Sequence, residues 1–198
     1  MTRTPVGILI SGGGSNKVEL VRSMPDDRPG TPKLVLSNRT GAKGLERARS
    51  VGVPAACVDH RGRSKVDFEG ELAQHLNAAG IEVLCLAGFM RLLSAEFVAR
   101  WEGRILNIHP SLLPLFKGLD THARALAEGV AVHGCTVHEV TAALDAGPIR
   151  DQAVVRVLAG DTPEVLADRV LAMEHQLYHA ILRAWLNDPN CLVSLLDA

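Results

Sequence analysis

Short apolar runs at residues 6–10, 33–37, 83–87 and 105–108 alternate with stretches of helical periodicity. This alternation constrains the fold more than any other feature. Strands separated by helices cannot form hairpins, so they pair in parallel and need helices over the sheet. The spacing predicts helices from about Asn16, at 44–52, at 64–79 and at 94–100, and a third short strand at 55–58. In the helix at 64–79, Val66, Leu72 and Leu76 are expected to face inward. Ser94 is expected to cap its helix. After residue 120 the rhythm changes. A helix at 121–128 is followed by two alternating runs, 132–140 and 149–157, with only the Asp145-Ala146-Gly147-Pro148 turn between them. Those two runs are expected to extend the sheet antiparallel. A last long helix opens at Asp161-Thr162-Pro163-Glu164, a capped start with proline in its first turn, and reaches about Asn187.

The chain has 198 residues, of which 47% are hydrophobic, which is enough to bury a core and argues against disorder. No linker or repeat interrupts it, so a single domain spanning 1–198 is expected, with an α/β half at 1–110 and an extension at 111–198. The net charge is −1, which gives no general reason to expect a nucleic-acid or membrane partner. The start of the chain is too short and too soon polar for a secretory signal, so a cytoplasmic protein is expected. Cys57, Cys85, Cys135 and Cys191 are scattered, without metal-ligand or disulfide spacing, and read as reduced thiols.

Chemistry concentrates in Asn107-Ile108-His109-Pro110-Ser111-Leu112-Leu113-Pro114. Positions i and i+2 of a strand share a face, so Asn107 and His109 project together where Pro110 ends the strand. An amide and an imidazole side by side suit oxyanion stabilisation and proton transfer. Asp145, in its tight turn, supplies a carboxylate that could pair with His109 and favour the imidazolium. Alone, His109 also reads as an ordinary strand-end histidine and Asp145 as a plain turn residue. The turn Ser11-Gly12-Gly13-Gly14-Ser15-Asn16 lies between a strand and a helix. It matches neither the dinucleotide nor the triphosphate fingerprint, which favours one small phosphate, or a tight turn with no ligand. His133 and Cys135 share a strand face that His138 does not, which argues against zinc.

With these motifs in order, the chain resembles the phosphoribosylglycinamide formyltransferases. The resemblance runs through the 11–16 turn, Ser37-Asn38, Leu86 to Ser94, Leu106 to Pro114, Gly118-Leu119 with Thr121-His122, His133 to His138, Leu144 to Pro148 and Glu174-His175. It implies a Rossmann-like, mostly parallel sheet with helices on both faces and an antiparallel C-terminal extension. It also implies transfer of the formyl group of 10-formyltetrahydrofolate, a co-substrate, to the amine of glycinamide ribonucleotide, without a metal. Asn107, His109 and Asp145 are then expected to be catalytic. Gly14, Ser15, Asn16 and Glu174 would hold the ribonucleotide. Lys65, Met90, Arg91, Leu92, Leu93 and Asn107 would hold the folate. Small-molecule substrates, no nucleic acid, no membrane, and a monomer or homodimer are expected. A 10-formyltetrahydrofolate hydrolase and a non-catalytic phosphate-binding module remain as alternatives. Lys17, Lys65, Lys117, Asp120 and Ala146 depart from the family pattern. Asp120 is expected to cap the helix that follows it, and the turn at Ala146 to adjust if that position requires positive φ.

Overall fold

The computed structural model describes residues 3–13, 20, 24 and 29–188. The helix expected from about Asn16, and the residues Gly14, Ser15, Asn16, Lys17 and Cys191, lie outside them. The chain divides into two compact units, Met1–Leu106 and Asn107–Ala198.

The first unit holds β1 (Thr4–Ile10), β2 (Gly30–Ser37), α1 (Lys43–Ser50), β3 (Ala55–Cys57), α2 (Lys65–Ala78), β4 (Val83–Leu86) and α3 (Ala95–Arg100). β1 pairs in parallel with β2 and β4, and β2 with β3, as the alternation requires. β2 begins three residues earlier than expected. Gly30, Thr31 and Pro32, which lie before the expected run, pair with Thr4, Pro5 and Val6. The register then shifts, Gly7 facing Leu34, and Lys33 is left exposed at the irregularity.

In α2 the Ser64 hydroxyl accepts from the Asp67 amide at 3.1 Å and caps the helix. Its buried stripe is Phe68, Leu72 and Leu76, spaced by four. Val66, expected inward, is instead 80% exposed. It stands two residues from Phe68, about 200° around the helix, so it cannot share that stripe. Ser94 caps α3 as expected, accepting from the Phe97 amide.

The strand β5 (Ile105–His109) leads into the second unit, which holds α4 (Thr121–Ala127), β6 (Val132–Glu139), β7 (Ile149–Arg156) and α5 (Pro163–Asn187). β6 and β7 pair antiparallel. Thr162 caps α5 and Pro163 occupies its first turn. The helix buries Leu166, Val170, Leu177, Ile181 and Trp185, and packs on β6 and β7. Among the described residues the strands form one seven-stranded sheet, ordered β3-β2-β1-β4-β5-β6-β7, mostly parallel with an antiparallel end. That is the fold class the alternation implies.

Candidate active site

β5 is buried along Ile105, Leu106 and Ile108, and it carries Asn107 and His109 into the second unit. His109 is 6% exposed. Its Nε2 lies 3.0 Å from the carbonyl oxygen of Phe116. A carbonyl only accepts, so Nε2 carries the hydrogen. Its Nδ1 lies 3.5 Å from Oδ2 of Asp145. Its two ring nitrogens thus face two different oxygens, a backbone carbonyl and a carboxylate. The same Asp145 oxygen accepts from the Gly118 amide at 2.9 Å. Asn107 reaches the cluster through its amide nitrogen, 3.1 Å from Nε2 of His138. His138 Nε2 in turn lies 3.8 Å from Oδ1 of Asp145. His109 therefore meets the Asp145 carboxylate directly, and Asn107 is linked to it through the His138 ring.

Among the described residues three non-glycine residues have left-handed backbone, and two of them, Phe116 and Asp145, sit at this cluster. Phe116 has φ 52°, Asp120 φ 55° and Asp145 φ 45°. Such conformations cost on the order of 1–2 kcal/mol each and persist where surrounding structure imposes them. Phe116 delivers a carbonyl to His109, and Asp145 its carboxylate to the centre. Asp120 occupies the N-cap position of α4, but its side chain makes no capping hydrogen bond, contrary to expectation. Capping by the side chain needs extended backbone at that position, which Asp120 lacks. Ala146 needs no adjustment, because the positive φ falls on Asp145 instead. The constrained glycine is Gly147, where a Cβ would stand 1.9 Å from the Glu139 carbonyl oxygen.

Behind His109 the loop after β5 is held by Thr136, which is fully buried. Its hydroxyl donates to Ser111 O at 2.6 Å and accepts from Leu113 N at 3.0 Å and Gln152 Nε2 at 2.9 Å. The rings of Phe116, His133 and His122 stack edge to face beside it. Burial lowers the pKa of His122 and pushes that of His133 down to about 4, with His122 adding to the effect on His133. Among the described residues no group of three potential metal-ligating side chains converges. No helix there is long and apolar enough to cross a membrane.

Glu174 is buried on α5, and its charge, after burial itself, raises the Cys135 thiol to about 12. In the first unit, Lys65 is exposed at the start of α2. Met90 and Leu92 are exposed apolar side chains, Leu93 is half-buried, and the Arg91 guanidinium lies 5.6 Å from the centre of the Phe68 ring. The Met90 amide donates to Ser11 Oγ at 2.7 Å, and that hydroxyl donates to Asn38 Oδ1 at 2.6 Å. The glycine-rich turn and the Met90 segment are thereby tied together, a link the sequence did not reveal. Sequence reasoning also missed His138, the Phe116 carbonyl and the Gly118 amide. Two of these are backbone groups without a side-chain signature. Strand alternation separates His138 from His133, which says nothing about what His138 faces.

A formyl transferase family model matches residues 5–182. The chain is also 42% identical to the phosphoribosylglycinamide formyltransferase of Escherichia coli (strain K12), over 91% of this chain and 86% of that protein. The chain belongs to the formyl transferase family. This formyl transferase aligns with the solved phosphoribosylglycinamide formyltransferase from Brucella melitensis at a TM-score of 0.89 and 46% identity, covering 98% of this chain and 99% of that one. It is 44% identical over 183 residues to the trifunctional purine biosynthetic protein adenosine-3 of Gallus gallus. That match covers 91% of this chain but only 18% of the trifunctional protein, so the chain spans less than a fifth of such relatives. The resemblance to the formyltransferases that the motifs carry is borne out as membership of that family.

Proposed function

We propose that the protein transfers the formyl group of 10-formyltetrahydrofolate to the amine of glycinamide ribonucleotide, with Asn107, His109 and Asp145 as its catalytic residues. The observation that carries this reading is the meeting of an amide, an imidazole and a carboxylate at one buried point. Binding alone has no use for that combination.

The amine attacks the formyl carbon, a C–N bond forms, and the carbonyl oxygen becomes an oxyanion. The Asn107 amide and the Nδ1–H of His109 are the donors for that oxygen. A single such donor is worth roughly 3–4 kcal/mol of transition-state stabilisation. The tetrahedral carbon then releases the folate nitrogen, the amine surrenders a proton, and the departing nitrogen takes one up. His109 relays that proton. Its Nε2 is committed to Phe116, so Nδ1, beside Asp145, is the nitrogen that can do so. The Asp145 charge stabilises the imidazolium. Tetrahydrofolate and formylglycinamide ribonucleotide are the products.

For the substrates, Gly14, Ser15 and Asn16 are assigned to the ribonucleotide phosphate, and Glu174 to its ribose hydroxyls. Lys65, Met90, Arg91, Leu92, Leu93 and Asn107 are assigned to the folate. The exposed apolar Met90 and Leu92 support this assignment, since a flat heteroaromatic ring is bound by such surface. The reactants are small molecules in the cytoplasm, and the chain acts as one catalytic domain.

The deciding experiment is a spectroscopic assay of 10-formyltetrahydrofolate with and without glycinamide ribonucleotide. Consumption only in the presence of the ribonucleotide is expected. Consumption without it would make the protein a hydrolase, and none in either case would make it a binding module.

A further inference from the structure

One buried titratable side chain touches the catalytic set without a role in it. His138 lies at the end of β6 and is 2% exposed. Its Nδ1 is 2.8 Å from the carbonyl oxygen of Glu139, and its Nε2 is 3.1 Å from the amide nitrogen of Asn107. The carbonyl accepts, so Nδ1 carries the ring hydrogen. In a neutral ring Nε2 is then bare and can only accept. The ring is neutral at physiological pH, because burial pushes its pKa down to about 4. The Asp145 carboxylate opposes that shift, and His109 and Lys117 reinforce it.

A bare Nε2 discriminates between the two ends of the Asn107 amide. Facing it with the NH2 end makes a hydrogen bond. Facing it with the carbonyl end sets one lone pair against another in a buried place. Packing cannot make this choice, since the two ends of an amide are nearly the same size.

We infer that His138 is a positioning residue for formyl transfer: its bare Nε2 fixes the flip of the Asn107 amide, leaving the second N–H and the Oδ1 as the groups Asn107 offers to substrate. The inference rests on the role proposed for Asn107. It also adds to that role. With the flip set, the remaining N–H can donate to the oxyanion while Oδ1 accepts from the attacking amine. The reversed amide would present neither group in the same place.

Two measurements test it. The first is the imidazole 15N spectrum of the intact protein near neutral pH, with the His138 signals identified by their loss in His138→Gln. A protonated Nδ1 and a bare Nε2 are expected. A hydrogen on Nε2 would overturn the inference, whatever the enzyme's activity. The second is a double-mutant cycle. His138→Phe keeps a ring but removes the acceptor, and kcat is expected to fall about 10- to 100-fold with both KM values within about twofold. In an Asn107→Ala background the same change is expected to cost nothing further. An equal loss in both backgrounds would mean that His138 does not act through Asn107. Should the protein transfer no formyl group at all, the proposed function fails, and the 15N spectrum still decides whether His138 sets the amide.

Discussion

The Asp145 carboxylate stands 3.5 Å from Nδ1 of His109, although α4 and β6 separate the two residues in the chain. The same oxygen holds the Gly118 amide. One carboxylate thus fixes a loop and faces an imidazole, and the two effects can be separated. Asp145→Asn keeps an oxygen for Gly118 and removes the charge. Steady-state assays are expected to show kcat lowered about 100- to 1000-fold, with both KM values little changed. An unchanged kcat would take the Asp145 charge out of the mechanism. Asp145→Ala loses the loop contact as well, so its KM values are expected to rise.

The turn that presents Asp145 depends on Gly147 rather than on Ala146. A Cβ at Gly147 would overlap the Glu139 carbonyl oxygen, which is backbone and cannot swing away. Gly147→Ala is expected to lower stability by about 2–3 kcal/mol or more, read as a fall in the denaturation midpoint, and to reduce transfer by displacing Asp145. Ala146→Gly is expected to cost only about 0.5–1 kcal/mol, the backbone entropy of an added glycine. Equal effects at the two positions would contradict this account of the turn.

Thr136 anchors the loop that follows His109. Thr136→Val preserves the shape but leaves the Ser111 carbonyl, the Leu113 amide and one hydrogen of Gln152 without this partner in a buried place. The expected loss is about 2–4 kcal/mol in denaturant unfolding, with an unchanged m-value. A loss below about 0.5 kcal/mol would show that the loop is held by other contacts.

His133 and His138 are each pushed down to about 4, chiefly by burial. Unfolded, they titrate near 6.5. Between those values the unfolded chain binds protons that the folded chain refuses, so stability decreases as pH falls through that window. Each histidine contributes up to about 1.4 kcal/mol per pH unit there and nothing above it. Denaturant midpoints measured across the window are expected to show that slope, and His133→Gln is expected to flatten it. A slope unaltered by the substitution would mean that His133 is not held neutral.

The alternation of runs up to β5 was legible because parallel pairing leaves strands and helices few other arrangements. The caps at Ser94 and Thr162 were legible for a local reason, since each hydroxyl serves an amide three residues on. Val66 was misplaced although helical spacing sets it about 200° from Phe68 and so off the stripe that Leu72 and Leu76 continue. The Gly-Thr-Pro start of β2 was missed because only pairing with β1 makes it a strand. Asp120 sits where a cap belongs but has the wrong backbone, a property that composition does not encode.

By itself the sequence determined which residues share a strand face, and so put Asn107 beside His109, because the two-residue period of a strand is a property of the local chain. Only the tertiary structure decided what those side chains face. Asp145 meets His109, His138 meets Asn107, and the Phe116 carbonyl meets Nε2 through the pairing of β6 with β7 and through backbone angles forced on Phe116 and Asp145. These are contacts between distant segments, whose register and strain are set by the whole fold.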